Sequence, residues 1–218
     1  MLDDLSIQPY TKTPLQRCLG FILAGGRSSR MGQDKATVTV AGRSMLQTAR
    51  DVMNHTQVHR HIVVGGRFAD VHENTTGLGP GRAICELVTH SYSHCLESED
   101  YLTQSQAVEE YALFIPVDMP FLQPKNLTTL IQLSQQHQCA YFYEQYYLPL
   151  VIPISASNSN TLSELVMQKP SPSVRNVINA VGASAAKYRG DEKEFANINS
   201  PAELAEVLIR TNEPWAAQ

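Results

Sequence analysis

Seven consecutive residues, Tyr111-Ala-Leu-Phe-Ile-Pro-Val117, are apolar without interruption and carry no charge. Successive side chains of a strand point to opposite faces, so a run of this kind has no face to give to water. It predicts a central strand covered by helices on both sides. A second run, Cys18–Ala24, has the same character and stops at Gly25-Gly26. Between and after these runs, short apolar segments alternate with segments of helical period, the pattern of an α/β domain.

Several local signals place the other elements. Ser44 is positioned to cap a helix whose Met45, Leu46, Ala49, Val52 and Met53 share one face. His61–Val64 reads as a second strand, stopped by Gly65-Gly66, and Pro80 opens a helix that turns Ile84, Leu87 and Val88 inward. A helix through Leu127, Leu130 and Ile131 is expected, then strands at Cys139–Tyr143 and Leu148–Ile154. Helical patterns recur at Leu162, Leu165 and Val166, and at Val174, Val177, Ile178 and Val181. Ser200-Pro-Ala-Glu203 matches a capping box with proline at the first helical position. Ser91–Glu110 is polar and acidic and reads as an inserted loop or irregular helical excursion. With no internal repeat, one domain over residues 17–212 is expected, carrying an insertion at 91–110 and preceded by a flexible leader, 1–16.

Composition excludes several classes. No apolar run approaches the roughly 20 residues of a membrane span. The first 17 residues have no apolar stretch of the signal-peptide kind, and the four cysteines form no C-x-x-C pair. Buried, reduced thiols and a cytoplasmic location are expected. A formal net charge of −4 argues against a broad nucleic-acid surface, while leaving room for a locally basic pocket.

Such a pocket is suggested where the first strand ends. Glycines let the backbone turn sharply and bring N–H groups to an anion, and Arg27, Arg30 and Lys35 follow close behind. The spacing fits neither the Walker pattern, since Gly32 is followed by Gln33, nor the G-x-G-x-x-G dinucleotide turn. Asp118 follows the best central strand. In an open α/β sheet, ligands bind at the carboxyl edge of the strands, so Asp118 and the glycine turn are delivered to the same edge. A carboxylate beside bound phosphates suits Mg²⁺. An ordinary βα turn and an aspartate capping the turn before Pro120 remain the plainer readings of each feature alone.

Leu23-Ala-Gly-Gly-Arg-Ser-Ser-Arg-Met-Gly-Gln-Asp-Lys35 resembles the L-A-G-G-x-S-x-R-M-G-x-D-K signature of the molybdenum cofactor guanylyltransferases, the MobA family. Asp118-Met-Pro resembles that family's metal motif, and Asn197-Ile-Asn-Ser-Pro-Ala-Glu-Leu204 its C-terminal segment. The resemblance implies a single three-layer αβα domain with a mostly parallel, Rossmann-like sheet, of the nucleotide-diphospho-sugar transferase kind. It implies transfer of GMP from GTP to the phosphate of molybdopterin cofactor, with release of pyrophosphate. Leu23, Ala24, Gly25 and Gly26 would frame the nucleotide, Arg30 and Lys35 would neutralise the triphosphate, and Asp118 would hold Mg²⁺. Asn197 and Asn199 would lie on the pterin side. Product would pass to molybdoenzymes or their chaperones; no nucleic-acid or membrane partner is implied.

The middle of the chain departs from the family pattern. Gly65-Gly66 stands where an asparagine is usual, Gly79-Pro-Gly-Arg-Ala83 replaces Gly-Pro-Leu-Ala-Gly, and Tyr147-Leu-Pro-Leu150 lacks a histidine before the proline. Cytidylyl or sugar-phosphate nucleotidyl transfer, and a non-catalytic nucleotide-binding role, therefore stay open. His55, His59 and His61, and the set His90, His94 and Cys95, read as polar surface rather than metal sites. Tyr141, Phe142, Tyr143, Tyr146 and Tyr147 suggest a stacking surface for bases or a pterin, while strand alternation with half the rings buried is the plainer account.

Overall fold

A computed structural model of the chain describes residues 15–25, 34–71, 78–97, 108–200 and 202–206. The elements are, in order, β1 (Leu15–Leu23), β2 (Thr39–Val40), β3 (Arg43–Ser44), α1 (Met45–Asn54), β4 (Arg60–Val64), α2 (Pro80–Glu97) and β5 (Val108–Pro116). They continue with α3 (Pro124–His137), β6 (Tyr141–Tyr143), β7 (Tyr146–Ile154), α4 (Ala156–Gln168), α5 (Val174–Ala180) and β8 (Ser184–Ala186). Single 3-10 turns occur at Lys35–Thr37 and Glu192–Phe195. Of the segment expected to be an insertion, residues 91–97 continue α2 and 108–110 open β5; residues 98–107, like 1–14 of the expected leader, lie outside the described residues.

Six strands form one sheet in the order β4-β1-β5-β7-β6-β8, and β2 and β3 form a separate small hairpin. β1 pairs in parallel with β4 and with β5, and β6 with β8. β7 alone runs against its two neighbours. The sheet is thus mostly parallel, as expected, with one reversed strand inside it. β1 and β5 pair along their full length, from Leu15 opposite Val108 to Leu23 opposite Pro116, so their carboxyl ends stop side by side.

Alternation along these two strands divides the core into two layers. Cys18, Ile22, Tyr111, Leu113, Ile115 and Val117 pack with α1 and α3. Leu19, Phe21, Leu23, Ala112 and Phe114 pack with α2, α4 and α5, and Phe21 stacks on Phe114 at 5.1 Å. Burying each large apolar side chain contributes about 1.5–3 kcal/mol, which makes this sheet the rigid part of the molecule. Cys18 and Cys85 are buried free thiols, pushed up to about 12 by desolvation.

The helix starts follow the sequence signals. Ser44 caps α1 with Gln47 in a reciprocal capping box, and Ser173 does the same for α5 with Asn176. Ser200 Oγ accepts the N–H of Glu203 at the start of the helical residues 202–206, while the Glu203 carboxylate reaches back to the N–H of Asn199. α2 starts hard against the segment before α5: a Cβ on Gly81 would stand 2.2 Å from the carbonyl oxygen of Pro172. Glycine is required there by contact, and the contact brings Pro80 beside Ser173–Arg175. Among the described residues no helix is long and apolar enough to cross a membrane.

Candidate active site

The exit of β1 is fixed from both sides. The Val117 N–H donates to the Leu23 carbonyl at 3.1 Å, and the Ala24 N–H donates to the Val64 carbonyl at 2.9 Å. Ala24 and Gly25 therefore leave the sheet at a defined height beside Asp118. Gly66, in the left-handed region at φ +76, passes so close that a Cβ on it would lie 2.9 Å from the Ala24 oxygen. The Gly65-Gly66 departure thus lets the end of β4 close in on the glycine turn.

Gly26 and Arg30 lie outside the described residues, and the chain is next described at Asp34. The Asp34 carboxylate accepts the Ala36 N–H at 3.0 Å and caps the 3-10 turn, while Ala36 is buried beneath it. That turn aims Lys35 back at the sheet edge. Its Nζ donates to Asp118 Oδ2 at 2.8 Å and to Asn199 Oδ1 at 2.5 Å. Both members of the ion pair are largely shielded, with side chains 21% and 17% exposed. Lys35, Asp118 and Asn199, all expected at the site, are thus brought into direct contact.

Asn199 reaches this point because the segment before it is anchored twice. The Ile198 N–H donates to the Asp118 carbonyl at 3.0 Å, and the Ile198 side chain is fully buried. Phe195, 2% exposed, packs against Tyr143, Tyr146 and Tyr188, with the Tyr146 ring stacked on it at 4.3 Å. Glu194 ties the same turn to the start of α3, accepting from Lys125, Asn126 and the Tyr188 hydroxyl. Burial pushes the Glu194 carboxyl up, but hydrogen bonds from Tyr188, Asn126 and Lys125 outweigh it and hold the group below its ordinary range. Asn197 lines the cleft without a hydrogen bond to Lys35 or Asp118 among the described residues.

The cleft these groups border measures about 660 Å³. Its floor is Leu23, Ala24, Gly25, Pro116 and Asp118; its far wall is Gln145 of the β6–β7 turn and the first residues of β7, Tyr146–Leu148, together with Ser173, Val174 and Arg175. Tyr147 and Arg175 were not singled out as site residues from sequence. Arg175 carried a signal, because a cation in the first turn of a helix opposes the helix dipole and calls for another reason to be there. Tyr147 carried one as a member of the Tyr141–Tyr147 aromatic cluster, but nothing that separated it from the other rings as the one lining the cleft beside Tyr146. Among the described residues no group of three or more His, Cys, Asp or Glu side chains could hold a metal ion by itself, and Asp118 is the one carboxylate lining the cleft.

Comparison with known proteins gives a consistent picture. The family model described as MobA-like NTP transferase domain matches residues 20–184. The molybdenum cofactor guanylyltransferase of Xanthomonas euvesicatoria pv. vesicatoria is 30% identical over 196 residues, covering 87% of this chain and 93% of that protein. The crystal structure of molybdopterin-guanine dinucleotide biosynthesis protein A from Archaeoglobus fulgidus superposes with a TM-score of 0.66 at 16% identity, covering 88% of this chain and 98% of that one. The 2-C-methyl-D-erythritol 4-phosphate cytidylyltransferase from Thermus thermophilus superposes with a TM-score of 0.57 at 13% identity, covering 88% and 97%. At these identities the two structures share the fold.

Proposed function

We propose, for a chain that belongs to the MobA-like NTP transferase family and is a nucleotidyltransferase, that it moves GMP from GTP onto the phosphate of molybdopterin cofactor. The product is the guanine dinucleotide cofactor and the leaving group is pyrophosphate. The observation that carries this reading is the Lys35–Asp118–Asn199 contact at the shared carboxyl edge of β1 and β5, beside the glycine turn.

In this reaction an oxygen of the acceptor phosphate forms a bond to the α-phosphorus of GTP. The bond from that phosphorus to the bridging oxygen breaks, and the electron pair leaves with pyrophosphate. The attacking group is already an anion, so positioning and charge stabilisation do the work of a general base. Backbone groups of Leu23, Ala24, Gly25 and Gly26 frame the nucleotide. Lys35 and Arg30 neutralise the triphosphate and the charge growing on the leaving group. Asn199 holds the Lys35 ammonium in place, and Asn197 lies toward the pterin.

Asp118 is the residue to hold Mg²⁺. Lys35 occupies Oδ2, while Oδ1 makes no hydrogen bond among the described residues. Mg²⁺ is commonly bound by one or two carboxylates completed by phosphate oxygens and water, so a single carboxylate fits a metal that arrives with the triphosphate. When bound, the ion supplies Lewis-acid stabilisation of the phosphate charge. The setting is the cytoplasm, where product passes to molybdoenzymes or their chaperones.

Pyrophosphate release with molybdopterin cofactor and each of GTP, CTP, ATP and UTP tests the reading, with and without Mg²⁺. A marked preference for GTP that depends on Mg²⁺ is expected. A strong preference for CTP would remove the guanine assignment, and binding without transfer to any acceptor would remove the reaction.

A further inference from the structure

We propose that Tyr147 is the stacking platform for a planar heteroaromatic ring system on the acceptor, and so determines specificity on that side of the cleft. The proposal rests on the nucleotidyl-transfer reading above. Its argument begins with sheet order. β1 flanks β5 on one side and β7 flanks it on the other. Asp118 follows β5 directly, so the Lys35–Asp118 pair stands between the β1 exit and the β7 entrance. Phosphoryl displacement places the attacking and leaving oxygens roughly in line across the phosphorus. With the nucleotide framed by the β1 turn, the attacking group is left the β7 side.

The wall on that side offers few flat surfaces. Tyr146 is already committed, its ring stacked on Phe195 at 4.3 Å with an interplanar angle of 13°. Tyr147 lines the same cleft, is 50% exposed, and has neither a ring partner nor a hydrogen bond among the described residues. An aromatic ring carried on a paired strand and half exposed at the cleft wall loses little entropy when a flat ligand covers it. A fused heteroaromatic ring gains far more from that face than a sugar ring does, since stacking is a property of two π-faces. The reversed direction of β7 is what puts Tyr147 here: its first residues, rather than its last, reach the ligand-binding edge.

Steady-state pyrophosphate release with the full chain, varying molybdopterin cofactor at saturating GTP and then the reverse, reads the two sides separately. Tyr147→Ala raises the acceptor KM on the order of 10-fold and leaves the GTP KM unchanged. Tyr147→Phe restores the wild-type acceptor KM, because it keeps the ring. Tyr147→Leu keeps the apolar bulk without the π-face and behaves as the alanine variant. An unchanged acceptor KM in the alanine and leucine variants, or a rise in the GTP KM alone, overturns the proposal. If wild-type protein fails to use molybdopterin, the proposed reaction falls separately. The platform is then read by fluorescence titration with a pterin monophosphate, which must bind wild type and Tyr147→Phe more tightly than Tyr147→Ala; equal binding overturns it.

Discussion

On one side of Asp118 the Leu23–Gly25 turn leaves a strand paired along its full length with β5 and held at its exit by backbone hydrogen bonds to both neighbours. On the other side, Tyr147, Arg175, Asn197 and Asn199 come from three separate segments. Those segments are held mainly by contacts of individual residues: the Phe195 ring cluster, the Glu194 hydrogen bonds, the close fit of Gly81 against the Pro172 backbone, and a single main-chain bond from Ile198 to Asp118. The difference is one of means. Main-chain pairing fixes the first half whatever side chains it carries, whereas the second half stands or falls with individual residues. Damage to the first half is done most directly by removing the charged groups themselves, and damage to the second can be done at a distance.

The largest expected effect is at the charged centre. Asp118→Asn and Lys35→Ala each lower turnover by on the order of 10²–10³, the scale of losing one stabilising group at a reacting phosphate. Circular dichroism and thermal midpoint stay near wild type, since the sheet does not depend on either group. Next is Gly81→Ala, where the added methyl meets the Pro172 carbonyl. Overpacking of this kind costs about 1–3 kcal/mol. A fall in Tm of about 2–4 °C per kcal/mol follows for a chain of this size. A rise in acceptor KM larger than any change in GTP KM would sharpen the contrast; equal changes would break it.

Glu194→Gln comes third, at about 1–2 kcal/mol, from the loss of charge-assisted hydrogen bonds to Lys125, Asn126 and Tyr188. Its pH dependence has a definite sign. A carboxyl lowered in the folded state stabilises above its unfolded-state value and loses that contribution as pH falls through the folded-state value. The wild-type advantage over Glu194→Gln is thus complete at neutral pH and shrinks on acidification below about 4.3. Chemical denaturation at pH 7 and at successively lower pH measures it; a gap that widened on acidification would refute the assignment. Smallest is Lys125→Ala. Its side chain is 69% exposed, so removing this partner of Glu194 shifts stability by no more than about 1 kcal/mol in the same assay.

The half built on main-chain pairing was also the half legible in the sequence. The runs that became β1 and β5 announced themselves by unbroken apolar character, and Ser44, Pro80 and Ser200 announced helix starts by cap chemistry. Asp118 could be placed at the binding edge because it follows one of those runs. What could not be read was which groups meet there, since Lys35 lies 83 positions from Asp118 and 164 from Asn199. Such contacts depend on how α3 and the Phe195 cluster steer the chain, and no local pattern encodes them. β2, β3 and β8 were missed because two or three residues are too few to establish a period. The reversal of β7 was hidden for a related reason. Its connection to β6 is the two residues Glu144-Gln145, which carry none of the Asn-Gly or Asp-Gly signal that marks a tight hairpin.

That reversal has a consequence for how the molecule can change. In a wholly parallel sheet every strand reaches the ligand edge by way of a crossover, and altering one disturbs the layers beneath. Here part of the cleft wall is a hairpin tip, an end that can lengthen, shorten or trade side chains while β5, β7 and β6 keep their registers. On the proposed assignment of the two sides of the cleft, the nucleotide-handling edge and the acceptor-facing wall are separable inheritances, and one scaffold can be retuned to new acceptors by revising a few residues at and beside a single turn.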